Sequence, residues 1–484
     1  MRTAPIRLAA PLRSLLVGMA SLCMVAACTM EPRYARPTLP TTDAWPIPPT
    51  TAPTPNAPAA ADIGWRDFFV DARLQALIGQ ALANNRDLRV AILNVESAQA
   101  LYRIQRSHSF PNVNANGNFT KQKLPPALAG GFPSATYQYY EADIGLAAFE
   151  IDLFGRVRSL NHAALEQFLS LQETRRGAQL VLIAAVTGAY LTLASNHELQ
   201  HLAKDTLASQ QASFDLTQQR HAAGGASALD LAQARTTVES ARADLAHFDG
   251  SVAQDLDALT LLLGGAPDPA MLPDAFDAQV ASLSIPPAGL PSAVLLRRPD
   301  VLAAEHMVRS ANGNIGAARA AFFPTISLLG NFGSASQDLS GLFKAGTGTW
   351  TFAPQAVLPL FAGGKNAGGL AEANVQQRIA IATYEKSVQT AFKEVADGLA
   401  LSASLGRERQ ADEALSQAAA QAFDLAQQRY KAGRDSYLSV LDAQRSDYAA
   451  RQRLIAVRLA EQGNLVSLYT ALGGGWLEHT QLSQ

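Results

Sequence analysis

The chain has 484 residues, of which 48% are hydrophobic and only 17% charged, with a formal net charge of −2. Average soluble proteins carry about 25% charged residues, yet a mean hydropathy of +0.02 is too low for a polytopic helical membrane protein. The balanced charge removes the electrostatic case for nucleic-acid binding, and the ordinary glycine and proline content excludes collagen-like architectures.

The N-terminus reads as a targeting segment. Arg2, Arg7 and Arg13 accompany an uncharged apolar run from Leu15 to Ala27, too short and wrongly flanked to span a membrane as a helix. It ends Met24-Val25-Ala26-Ala27-Cys28, which is similar to a bacterial lipobox, where the cysteine is acylated as the signal is removed. Residues 1–27 are therefore expected to be a signal peptide and Cys28 the lipidation site. The other cysteine, Cys23, falls in the removed segment, so the mature chain can hold no disulfide. By the same resemblance, Thr29 in place of an aspartate directs the lipoprotein to the outer membrane. Residues 28–64 form a tether with Pro37, Pro40, Pro46, Pro48, Pro49, Pro53, Pro55 and Pro58, a density that favours extended backbone.

Folded structure is expected from Trp65. Residues 66–108 carry Leu88, Ala91, Ile92, Val95, Ala98 and Tyr102 at helical spacing, and Pro111 ends that helix. The period then changes to two. Val113, Ala115, Gly117 and Phe119 alternate with Asn112, Asn114, Asn116 and Asn118, which predicts a strand over about 111–121. Tyr140, Ala142, Ile144, Leu146 and Ala148 alternate with Glu141, Asp143 and Gly145, predicting a second over about 137–149. From Arg156 to Ala222 there is no proline, so one helix of roughly 100 Å is possible. A glycine turn and a returning helix over 228–263 follow.

This order repeats. Residues 214–229 and 423–438 are identical at ten of sixteen positions, Phe110-Pro111 recurs as Phe323-Pro324, and Leu263-Gly264-Gly265 as Leu472-Gly473-Gly474. The chain is a duplication, with repeats at 65–275 and 276–475 and a tail at 476–484. The second repeat supplies strands at about 324–334 and 348–358, a helix from Lys365 to Ala432 and its return over 437–472. The uncharged stretch 177–197 has a charged counterpart around 386–406, with Lys393, Glu394 and Asp397, so both read as bundle helices rather than membrane spans.

Four strands of this length and dyad pattern suit an outer-membrane barrel better than a small soluble sheet. Four strands cannot close, and an open edge is not tolerated in hydrocarbon. The chain must then oligomerise. Two copies give eight strands, filled by side chains, while three give twelve and a lumen. Helices this long need coiled-coil partners, and beside a barrel they describe a tunnel.

Gly64-Trp65-Arg66-Asp67-Phe68-Phe69, Asn84-Asn85-Arg86-Asp87-Leu88 and Tyr102-Arg103-Ile104-Gln105-Arg106 carry a family likeness. So do Asp435-Ser436-Tyr437-Leu438, Leu441-Asp442-Ala443-Gln444-Arg445 and Ala471-Leu472-Gly473-Gly474-Gly475-Trp476. Together the chain resembles the NodT-type outer-membrane efflux lipoproteins among the TolC-like outer membrane factors. The resemblance implies an α+β membrane protein: a homotrimeric, twelve-stranded β-barrel continuous with a periplasmic α-helical tunnel. It implies partners too, a periplasmic adaptor and an inner-membrane pump, often of the resistance–nodulation–division type, besides outer-membrane lipid. It implies no catalysis and no cofactor, only passive export of small toxic compounds. Export of a polypeptide by a TolC-like type I duct is the alternative.

The same resemblance puts Leu438, Asp442 and Arg445 at the periplasmic constriction, and their i, i+4, i+7 spacing gives them one helix face. The repeat makes Leu229, Gln233 and Thr236 their equivalents, with both charges lost. A ring of Asp442 is tolerable only if Arg445 neutralises it. Hairpin tips containing Gly224, Gly225 and Ser227, and Gly433, Arg434, Asp435 and Ser436, are expected to meet the adaptor. His197-Glu198-Leu199-Gln200-His201 also matches the zinc-protease pattern H-E-x-x-H, but its counterpart Gly406-Arg407-Glu408-Arg409-Gln410 has no ligand pair, and no metal site is expected.

Overall fold

The computed structural model describes residues 29–42, 45, 60–125, 135–276 and 292–480. The signal segment, Cys28 and most of the proline-rich tether lie outside the described residues. In chain order the main elements are α1 (Trp65–Phe68), α2 (Ala72–Asn84), α3 (Arg86–Ser107), β1 (Val113–Leu124), β2 (Ala135–Ile151), α4 (Arg156–Ala222) and α5 (Ala228–Leu263). The second repeat contributes α6 (Pro299–Ala320), β3 (Thr325–Ser336), β4 (Gly348–Val357), α7 (Lys365–Lys431) and α8 (Tyr437–Ala471). Two compact units draw on both repeats: Met1–Pro37 with Val95–Leu171 and Ala304–Tyr384, and Thr38–Asn94 with Gln172–Ala303 and Glu385–Gln484.

The first unit contains an antiparallel sheet in the order β1-β2-β3-β4. Its register aligns Ala115, Ile144, Phe332 and Trp350 in one row, and Val113, Leu146, Gly330 and Phe352 in the next. Because side chains alternate, the opposite face carries Asn116, Asp143, Gly333 and Thr349, then Asn114, Gly145, Asn331 and Thr351. The alternation expected through Ala148 fails. A bulge between Leu146 and Phe149 shifts the register, and Ala148 takes a φ of 41°. An extra residue inverts every later side chain. Phe149 and Ile151 therefore share the apolar face with Leu328 and Ile326, and Glu150 turns to the polar face, accepting from Arg156 Nε at 2.8 Å.

The core of the second unit joins Trp65, Phe68 and Phe69 to Leu74, Leu77 and Ile78 of α2, Ile183, Val186 and Tyr190 of α4, and Leu259 of α5. Phe68 stacks on Tyr469 at 3.8 Å, and buried Tyr190 donates to Asp71 Oδ2 at 2.7 Å. The stretch of α4 that is long and apolar enough to cross a membrane thus supplies much of this core instead. Truncating Ile183, 1% exposed, to Ala would cost about 2–5 kcal/mol. The helix expected to run unbroken over 66–108 is instead interrupted at Phe69–Asp71 and at Asn85. Asp71 accepts from Arg73 N at 2.8 Å. Asn85 Oδ1 accepts from Leu88 N at 2.9 Å, and its amide donates to the Leu262 carbonyl at 2.9 Å. Short polar side chains compete with the helical ladder and start a new helix.

Duplication is visible in the helix ends. Gly264 (φ 69°) and Gly473 (φ 84°) stop α5 and α8, with the next residue's N–H donating back to Thr260 O (3.2 Å) and Tyr469 O (3.0 Å). Both are Schellman closures.

Candidate functional site

Two hairpin tips, α4–α5 and α7–α8, close by one mechanism. Gly224 has φ 76° and Gly433 φ 70°. Gly225 N donates to Arg220 O at 2.8 Å and Gly224 N to His221 O at 3.0 Å; the equivalents are Arg434 N to Arg429 O at 2.9 Å and Gly433 N to Tyr430 O at 3.0 Å. Only glycine takes this left-handed conformation without a Cβ penalty. The returning helices start differently. Ser227 and Asp230 form a reciprocal capping box, whereas Ser436 makes no side-chain cap, and Asp435 pairs with Arg429 Nε at 2.6 Å. Gly224, Gly225, Ser227, Gly433, Arg434 and Ser436 are exposed and Asp435 half-buried. Arg220 lies 4.6 Å from the Tyr430 ring centroid, so the hairpins touch through a cation–π contact just behind their tips.

Above the tips, α8 buries Tyr437, Val440, Leu441, Gln444 and Asp447. Leu438 is 52% exposed, and Asp442 and Arg445 are exposed as well. The expected gate residues thus share an exposed stretch of α8. No side-chain hydrogen bond or ion pair of Asp442 or Arg445 occurs among the described residues. On α5, Ala234, Thr237, Val238 and Ala241 are buried, while Leu229 and Thr236 are exposed and Gln233 half-buried. Arg445 also borders a cavity of about 320 Å³ with Thr206, Gln210, Thr236, Asp244, Gln444 and Tyr448 among its lining. Burial, then the Asp244 carboxylate, push the Tyr448 phenol up to about 12.

The first described residues of the region read from sequence as a tether are docked. In the first unit Tyr34 donates to Glu305 Oε1 at 2.9 Å, and Arg36 contacts both Glu305 oxygens at 3.1 and 2.9 Å. Arg309 adds a bond to Glu305 at 2.6 Å and lies 4.8 Å from the Tyr34 ring centroid. Burial would raise the Glu305 carboxyl; the Tyr34 and Arg36 hydrogen bonds outweigh it and hold it below the ordinary range. Nearby, Glu31 meets His162 at 3.0 Å, and Glu166 receives His306 at 2.6 Å. Glu166, then Glu31, raise His162 to about 10. Burial pushes Glu166 up, but His162 and His306 prevail and hold it at about 2. No local pattern could have revealed this, since the partners lie far along the chain.

In the H-E-x-x-H segment Glu198 faces Arg458 at 3.9 Å, and burial raises its carboxyl. Among the described residues no group of three or more His, Cys, Asp or Glu is arranged to hold a metal.

The sheet has two free edges, β1 and β4, and all ten residues of β4 are exposed. Its apolar face presents Phe332 at 72%, Trp350 at 75% and Phe352 at 64% exposure. A protein in water does not leave such a face and two backbone edges bare.

Known proteins share this arrangement. The sequence model of the family described as outer membrane efflux protein matches twice, at residues 77–265 and 290–474. The toluene efflux pump outer membrane protein TtgC of Pseudomonas putida is 46% identical over 470 residues, spanning 97% of each chain. Among solved structures, a membrane protein from Pseudomonas aeruginosa superposes with a TM-score of 0.86 at 41% identity, covering 94% of this chain and 99% of that one. The open state of the MtrE outer membrane channel of Neisseria gonorrhoeae gives 0.83 at 38% identity, covering 94% and 100%.

Proposed function

Since this chain belongs to the outer membrane efflux protein family, we propose that it is the lipid-anchored, homotrimeric exit duct of a tripartite efflux system. The single observation that carries the reading is the unclosed sheet: four strands, an exposed aromatic face and two free edges. Three copies joined β4 to β1 form twelve strands, remove every edge and leave a lumen. Polar Asn114, Asn116 and Asp143 then line the water-filled side. Cys28 bears the acyl anchor. The tips around Gly224, Gly225 and Ser227, and Gly433, Arg434, Asp435 and Ser436, receive the periplasmic adaptor, and the pump is of the resistance–nodulation–division type. Toluene in the name of the Pseudomonas putida relative supports small toxic organic solutes as cargo. The protein is a conduit and catalyses no reaction.

Leu438, Asp442 and Arg445 form the closed periplasmic end, with Leu229, Gln233 and Thr236 as the weaker half. Three converging carboxylates repel unless each finds a cation, and Arg445 of a neighbouring copy supplies it. Single-channel conductance in planar bilayers tests duct and gate together. Wild type is expected to be mostly closed and Asp442→Ala to conduct severalfold more. Equal conductances overturn the gate; intact trimers without conductance overturn the duct. Cys28→Ala should lose incorporation of labelled palmitate.

A further inference from the structure

The apolar face of the sheet does not end in apolar residues. In β1, the residues in phase with Val113, Ala115, Gly117 and Phe119 continue as Lys121 and Lys123, set against Gln138 and Thr136 of β2. The row before them pairs Phe119 with Tyr140, rings 4.7 Å apart, beside Ser336. The ten residue steps from Ile326 to Ser336 run about 34 Å, or about 25 Å once tilted, the height of a barrel's apolar band. The Phe119–Tyr140 row therefore lies at the interface where aromatic girdles sit, and the lysines lie beyond it, at headgroup depth.

The β3–β4 connection folds onto the same face. Ser334, in the row of Ala142 and Gly117, hydrogen-bonds the Leu342 carbonyl and lies 2.6 Å from Thr347 Oγ1. Leu342 is buried by this fold, and Phe343 projects at 82% exposure beside exposed Lys344. No side-chain hydrogen bond or ion pair of Lys121, Lys123 or Lys344 occurs among the described residues. From Lys121 to Tyr140 the sequence has no acidic residue, and the β3–β4 connection has one, Asp338. Cations at this depth without partners are complementary to lipid phosphates.

We propose that Lys121 and Lys123, with Lys344, form a docking surface for the phosphate groups of the anionic glycolipid in the outer leaflet. The inference rests on the outer-membrane barrel reading. Closure of that barrel sets β1 of one copy beside β4 of the next, so that Lys344 of that copy joins Lys121 and Lys123.

The test uses the full chain as detergent-solubilised trimer, with its thermal dissociation midpoint followed against bisphosphorylated lipid A, dephosphorylated lipid A of the same acylation, and inorganic phosphate. Only the bisphosphorylated form is expected to raise the midpoint, and 0.5 M salt is expected to weaken the effect. In Lys121→Gln/Lys123→Gln the half-effective lipid concentration should rise about thirtyfold, and in Lys121→Arg/Lys123→Arg stay near wild type. Lys344→Gln, outside the strands, should shift it about fivefold by itself. Unshifted concentrations in the glutamine variants, or equal protection by dephosphorylated lipid A or by inorganic phosphate, overturn the proposal. Bilayer conductance of the double variant should match wild type, which separates loss of the lipid surface from failure of the duct reading.

Discussion

The two helical hairpins have nearly the same backbone and different electrostatics. Both tips turn through a left-handed glycine, Gly224 or Gly433, closed by the same pair of crossed hydrogen bonds. Just beyond, one returning helix exposes Leu229 and Thr236 and the other exposes Leu438, Asp442 and Arg445. Helix termination and the φ restriction act on the backbone whatever the side chains are, so they keep duplicated turns alike. An exposed face has no such constraint. It is free to specialise, and in the second repeat it carries the charges.

The largest test of this asymmetry is conductance. Asp442→Ala should open the channel severalfold while Gln233→Ala leaves it near wild type; equal effects would end the distinction between the halves. Gly224→Ala and Gly433→Ala come next. A Cβ at either position meets nothing within 4 Å, so only backbone strain acts, about 1–2 kcal/mol at each tip. Their thermal midpoints should fall together, and a difference between them would show that the tips are not equivalent. Smaller still, Ser227→Ala removes a capping box and should cost about 1 kcal/mol, whereas Ser436→Ala, which removes no cap, should be nearly neutral by the same melting measurement.

The docked N-terminal segment, which has no copy in the second repeat, gives a pH-dependent contrast. His162 is raised from 6.5 to about 10, so its contribution is complete below 6.5 and disappears as pH climbs to about 10. Glu166, lowered from 4.5 to about 2, contributes fully above 4.5 and fades as pH falls toward 2. Tryptic cleavage after exposed Arg33, referenced to cleavage at Arg434 in the second tip, should therefore accelerate from pH 7 to 9.5. A constant ratio over that range would show that the pair does not hold the segment.

Much of the fold was legible because its signals are local. Absence of proline and a terminal glycine delimit α4 and α5, and a two-residue period marks the strands. What escaped has other causes. Ala147 and Ala148 are too small to show which face they occupy, so the bulge was hidden. Asp71 and Asn85 sit inside an apolar rhythm that masked their capping role. Glu305, the partner of Tyr34 and Arg36, comes from another part of the chain, and pairwise proximity of that kind leaves no trace in periodicity. The shared face of Leu438, Asp442 and Arg445 follows from spacing alone, but their role was suggested by resemblance.

Met30 is the docked residue nearest the expected acylation site, since its carbonyl accepts from Arg319 at 3.2 Å and it follows Cys28 by two positions, with Glu31 holding His162 next to it. Two residues reach no farther than about 7 Å. An acyl group on Cys28 would thus be moored on a leash shorter than half a bilayer's hydrocarbon thickness, about 15 Å. Such an anchor cannot wander around the protein. It would fix one depth in the leaflet relative to the first unit, and would serve as a depth gauge as much as an attachment.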